Sequence, residues 1–146
     1  MTRSELTRGS VVVAERRPSG VLDTCAYIDL ALLDPNDLPE VPEITDVTLA
    51  ELHQGVAMAR DVGTRTTRTE VLGAAVADFE PLPFDGPASA RYGTLVSLAI
   101  AAGRDPRHRK LDLMIAAIAS SRGLPLYTRN PDDFRGLSKA LEVRAV

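Results

Sequence analysis

Apolar residues recur along this chain in two rhythms. Short runs at Gly20-Val21-Leu22, Glu43–Val47, Leu124–Tyr127 and Leu141–Val146 have the length and content of strands. Between them the spacing changes to threes and fours. Leu49, Leu52, Val56 and Ala59 mark one face of a helix over Thr48–Arg60, and Val71, Leu72, Ala75, Val76 and Phe79 mark another over Arg65–Phe79. Thr24–Leu33 has helical character and stops at the turn signal Asp34-Pro35-Asn36-Asp37. Glu80–Phe84 is a prolyl segment suited to a sheet edge. Asp85-Gly86-Pro87 opens a helix that runs to Ala102, with Pro87 in its first turn. Leu111–Arg122 is the most apolar helix and Gly123 closes it. Asn130–Leu137 reads as a loop with a short helix. Strands alternating with helices predict an α/β layer fold, a mostly parallel central sheet flanked by helices. Without repeats or linkers, this is one domain over residues 20–146 behind an N-terminal extension, residues 1–19, that contains Arg16-Arg17-Pro18.

Composition narrows this picture. A chain of 146 residues, 45% apolar, suffices for one core, and 4% aromatics without Trp means a core of Ala, Leu, Val and Ile. The single cysteine, Cys25, can form no internal disulfide, which suits a reducing cytoplasm. Met1–Ser10 is polar, and Val11–Val13 is too short for a signal peptide or membrane span. A net charge of −3 argues against holding nucleic acid by a general basic surface. Yet Arg104, Arg107, Arg109 and Lys110 crowd one stretch with His108, and arginine favours bidentate phosphate contacts. A solvated loop explains that cluster equally well.

Four acidic or acid-like positions sit at element junctions: Asp23, Glu51, Asp112 and the Asn130/Asp133 pair. Helix capping accounts for several of them singly. Thr48-Leu-Ala-Glu51 matches a capping box, and Asn130-Pro131-Asp132-Asp133 matches a helix start with acids in the first turn. Asp112 resists that account, because it lies on a helix apolar enough to be buried, where an unpaired carboxylate costs several kcal/mol. Asp23 follows Val21-Leu22 directly and has the same difficulty. With parallel strands, Asp23, Glu51 and Asn130/Asp133 fall on the carboxyl rim of the sheet, where α/β folds bind ligands. The direction from which Asp112 approaches is open at this level. Converging carboxylates call for a hard cation, Mg²⁺ or Mn²⁺, since His53, His108 and Cys25 lack the spacing of zinc ligands. Such sites hydrolyse phosphodiesters.

The segments Val-Leu-Asp-Thr (21–24), Thr-Leu-Ala-Glu-Leu (48–52), Asp-Leu-Met-Ile-Ala-Ala (112–117) and Leu-Tyr-Thr-Arg-Asn-Pro-Asp-Asp-Phe (126–134), in that order, resemble the PIN-domain ribonucleases. More narrowly they resemble the VapC-type toxins of bacterial toxin–antitoxin pairs, over residues 20–146. The resemblance implies a PIN-like fold and Asp23, Glu51 and Asp112 as metal-site carboxylates. Many relatives carry an Asp where Asn130 stands, so the resemblance implies Asn130 or Asp133 as the fourth ligand, or, if neither contributes, a weak second metal position beside one tightly held ion. Thr128 is implied to lie near the site. The resemblance also implies a homodimer, Mg²⁺-dependent endonucleolytic cutting of structured RNA such as tRNA or rRNA, and a cognate antitoxin that forms a higher assembly with the toxin. Arg104, Arg107, Arg109, Lys110 and Arg129 are the expected phosphate-positioning residues. Two rival readings remain. A phospho-acceptor receiver domain needs a Lys ending a late strand, and neither Lys110 nor Lys139 is so placed. A catalytically idle PIN-like binding module for RNA or protein is favoured by the amide at Asn130.

Overall fold

The computed structural model describes residues 16–146. Four strands, β1 (Ser19–Leu22), β2 (Val41–Glu43), β3 (Leu126–Thr128) and β4 (Val143–Ala145), form one sheet in the order β2-β1-β3-β4. All pairings are parallel, with Val21 opposite Glu43 on one side and Leu126 on the other. The helices are α1 (Thr24–Ile28), α2 (Asp46–Ala57), α3 (Val62–Asp78), α4 (Gly86–Ala101) and α5 (Lys110–Ser121).

Strand periodicity divides the interior in two. Side chains alternate across a strand, so Val21 and Leu126 enter one apolar cluster while their neighbours Leu22 and Tyr127 enter the other. The first cluster is filled by α4 and α5, through Leu95, Ala99, Leu113 and the buried run Ile115–Ala119. The second is filled by Ala26 and Tyr27 of α1, Leu52 of α2 and Ala75 of α3. Ile115 and Ile118 are fully buried, each worth about 1.5–3 kcal/mol. That anchorage holds α5 against the sheet and so fixes its first turn, where Asp112 lies. Gly20 is required for a different reason: a Cβ there would run into the ring of Tyr127.

Several boundaries differ from the sequence expectation. The strand expected over Glu43–Val47 ends at Glu43, because Thr45 caps α2 by accepting the Thr48 N–H at 3.1 Å. The helix expected over Arg65–Phe79 starts earlier, at Val62, because Asp61 caps it by accepting the Thr64 N–H. The edge strand expected over Glu80–Phe84 reduces to one parallel bridge between Thr45 and Leu82. Within the expected N-terminal extension, residues 1–15 lie outside the described residues. Ser19 already belongs to β1, and the carbonyls of Arg17 and Pro18 accept the N–H groups of Glu40 and Val41. Among the described residues no helix is long and apolar enough to cross a membrane.

Candidate metal centre

The chain leaves β1 for β2 on one side and β3 for β4 on the other, so the carboxyl ends of β1 and β3 flank a topological switch point. Asp23 stands there, one residue beyond β1, only 6% exposed. Its backbone N–H donates to the Tyr127 carbonyl at 3.0 Å, and its side chain caps α1 by accepting the Ala26 N–H at 2.9 Å. The Thr128 hydroxyl also donates to the Asp23 carboxylate. Thr128 in turn accepts the Asn130 N–H at 3.0 Å. Burial pushes the Asp23 carboxyl upward against those two hydrogen bonds, and the charge of Asp133 adds to the push. Capping and site membership thus coincide in one residue.

Glu51 enters from the second turn of α2, and its capping-box assignment is overturned. The cap is Thr45, three residues before Thr48, so the Thr48 side chain is free for another purpose. Glu51 Oε1 instead accepts a hydrogen bond from the Thr24 hydroxyl at 2.8 Å. Asp112 comes from the first turn of α5 onto the same rim, which answers the question of its approach. Its carboxyl is pushed up to about 6, first by burial, then by the charges of Asp133, Glu51 and Asp23, with Arg109 opposing. All three other acids act on this one group, so the four make a single electrostatic cluster. The Cys25 thiol, on an exposed residue, is also pushed up, by partial loss of solvent around the sulfur and then by the charges of Asp23, Asp112, Glu51 and Asp29.

Asp133 lies on the single 3₁₀ turn Pro131–Phe134 and forms an ion pair with Arg109 at 2.6 Å. Asn130 precedes that turn, yet its side chain makes no capping bond, contrary to the expected helix start. Most of the basic residues expected to grip phosphate are engaged within the protein. Arg104 donates to the Asp132 carbonyl, Arg107 pairs with Asp105 at 2.8 Å, and Arg129 pairs with Asp29 at 2.9 Å. Of that set, Lys110 alone is exposed without a protein partner among the described residues. Thr24 and Thr48 are site-supporting residues that sequence reasoning missed. The signal was Thr45, a second cap-type residue three positions before Thr48.

Among the described residues no three acidic, histidine or cysteine side chains stand as a ready-made ligand set. The donor chemistry nonetheless fits a hard cation, since every side chain of the cluster offers oxygen. Mg²⁺ commonly uses only one or two carboxylates and completes its shell with water and phosphate oxygens. The half-buried carboxylate of Asp112, pushed up by the charges of Asp133, Glu51 and the buried Asp23, is the group such an ion would relieve.

Beside Glu51 runs an apolar groove of about 670 Å³ between α1, α2 and α3, lined by Ile28, Leu52, Met58 and Val71 with Arg68 at its edge. Ile28 and Met58 are 52% and 65% exposed.

No family model matches the sequence. The chain is 40% identical over 131 residues to Ribonuclease VapC5 of Mycobacterium tuberculosis (strain ATCC 25618 / H37Rv), covering 88% of this chain and 94% of that protein. The crystal structure of VapBC-5, a toxin–antitoxin system of Mycobacterium tuberculosis, superposes with a TM-score of 0.78 at 40% identity, over 88% of this chain and 99% of that one. VapBC2 from Rickettsia felis, bound to a DNA fragment from its promoter, shares the fold with a TM-score of 0.66 at 20% identity, over 88% of this chain and 98% of that one. With the parallel α/β architecture and the rim of acids already described, this likeness over nearly the whole length identifies the chain as a member of the VapC family of ribonucleases, built on the PIN-type fold its motifs resemble.

Proposed function

We propose that this chain is the endoribonuclease toxin of a toxin–antitoxin pair, acting in the cytoplasm on structured RNA such as tRNA or rRNA. Hydrolysis takes place at the cluster of Asp23, Glu51, Asp112 and Asp133 with Mg²⁺ or Mn²⁺. The observation that carries this reading is the convergence of three acids from separate parts of the chain, Asp23, Glu51 and Asp133, on Asp112, whose carboxyl burial and their charges together hold at about 6. A structural protein gains nothing from that repulsion. A bound divalent ion offsets it, and supplies water activation and charge neutralisation at the scissile phosphate.

The chain's own residues have distinct tasks. Asp23 and Asp112 supply the least solvated negative charge, on the rigid rim. Glu51 is held by Thr24, and Asp133 is held by Arg109. Lys110, unpaired and two residues from Asp112, is the cation best placed to meet RNA backbone. Asn130 brings no charge, so Asp133 is the fourth acidic member, coupled electrostatically to both Asp23 and Asp112.

The apolar groove fits an amphipathic segment of the cognate antitoxin. Its apolar face would cover Ile28, Leu52 and Met58, and a basic side chain would reach Glu51 at the groove's edge. VapBC-5, the toxin–antitoxin system at 40% identity, supports that partner. A homodimer that assembles further with antitoxin completes the proposal.

The test is cleavage of total RNA by purified protein in Mg²⁺, in Mn²⁺ and in chelator. Cleavage in either metal and none in chelator is expected; equal cleavage in chelator removes the metal role. The second reading, an idle binding module, rests on the Asn130 amide and on the Arg109–Asp133 pair that occupies the fourth acid. RNA binding without product in both metals would favour it.

A further inference from the structure

Thr48 is fully buried inside α2, and its backbone N–H is already satisfied by Thr45. Its hydroxyl lies 3.0 Å from the hydroxyl of Thr24, which lies 2.8 Å from Glu51 Oε1. The proton direction along this chain follows from elementary bonding. An ionised carboxylate only accepts, and a hydroxyl has one proton to give. Thr24 therefore donates its hydrogen bond to Glu51, and Thr48 must donate to Thr24. The result is a one-way relay of hydrogen bonds from the interior of α2 through α1 to a carboxylate of the acidic cluster.

Three acids of the cluster have an orienting partner, and that of Glu51 is the hydroxyl of Thr24. Asp23 is tied by the Ala26 N–H and Thr128, and Asp133 by the guanidinium of Arg109. Glu51 has a longer side chain and stands on the wall that separates the acids from the apolar groove. The Thr24 hydroxyl fixes one oxygen of its carboxylate.

We propose that Thr48 is a positioning residue for the nuclease reaction, acting through Thr24 to fix the orientation of Glu51 without touching substrate. The inference rests on the metal-dependent reading above. In that setting, groups that orient a ligating side chain commonly contribute tenfold or more to metal affinity.

The test is a double-mutant cycle on full-length protein, with Mn²⁺ affinity measured by calorimetry in the absence of RNA. Thr24→Val removes the donor to Glu51 and should weaken Mn²⁺ binding about tenfold. Thr48→Val, close in shape but lacking the hydroxyl, should weaken it about threefold, and Thr48→Ser should restore it. In the Thr24→Val background, Thr48→Val should have no further effect on affinity. Thermal unfolding of each metal-free variant separates a purely structural role, which would lower Tm and leave affinity unchanged. Unchanged Mn²⁺ affinity in Thr48→Val, or additive losses in the double variant, overturns the relay while the metal reading stands. Wild-type protein that binds no Mn²⁺ overturns both.

Discussion

Asp23 and Asp133 press on the same carboxylate, Asp112, from two different kinds of structure. Asp23 is 6% exposed at the end of β1, fixed by a backbone N–H from α1 and a hydroxyl from the end of β3. Asp133 sits on a single 3₁₀ turn with its side chain 36% exposed, fixed by the partly exposed head of Arg109. The first arrangement is a product of sheet topology and cannot move without unfolding the sheet. The second is an ion pair near the surface, worth no more than about 1 kcal/mol and weakened by salt. The cluster therefore has one half set by the fold and one half set by an exchangeable contact.

The largest effect should come from the fold-set half. Asp23→Asn keeps the cap to Ala26 but removes the buried charge, and RNA cleavage should fall on the order of a thousandfold. Asp133→Asn should cost on the order of tenfold less in the same assay. Equal losses at both positions would erase the distinction between the halves.

The next effect is one of pH. Asp112 binds its proton more tightly in the folded than in the unfolded chain, where its value is the ordinary 3.8 in place of about 6. Between roughly pH 4 and 6 the unfolded state binds fewer protons, so the metal-free protein should lose stability as pH rises through that window. Asp112→Asn should flatten that decline and raise Tm in chelator at neutral pH by about 2–4 °C, while losing Mn²⁺ binding. A stability profile identical to wild type would show that Asp112 does not carry the repulsion.

The smallest effect concerns the exchangeable half. Arg109→Ala frees Asp133 and removes a positive charge from the cluster, so Mn²⁺ binding should tighten about threefold at low salt and less at high salt. A salt-independent loss would mean that Arg109 supports the helix start of α5 and not the acid.

The parallel sheet and its flanking helices were legible because short apolar runs alternate with helical spacing, and strands such as Val21/Leu22 and Leu126/Tyr127 feed two interiors; the strand order β2-β1-β3-β4 was not, because it depends on pairings between distant segments. Asp112 stood out as a candidate for a related reason: charge on an otherwise buried helix face has no cheap structural explanation. Thr48 was misread because the capping pattern is local, and Thr45 satisfies the same pattern three residues earlier with its buried side chain. The arginines were harder still. Composition counts cations but not their partners, and the carboxylates or carbonyl that engage Arg104, Arg107, Arg109 and Arg129 lie as far as 100 residues away.

The absence of a side chain at Gly20 also governs the acids from a distance. Tyr127 lays its ring against that bare backbone, and the next residue, Thr128, hands its proton to Asp23. A single methyl group placed on residue 20 would push the ring aside and draw the end of β3 with it, pulling Thr128 off the carboxylate. A substitution that adds no charge and touches no acid would then loosen Asp23 from three residues away, with the ring of Tyr127 as the lever.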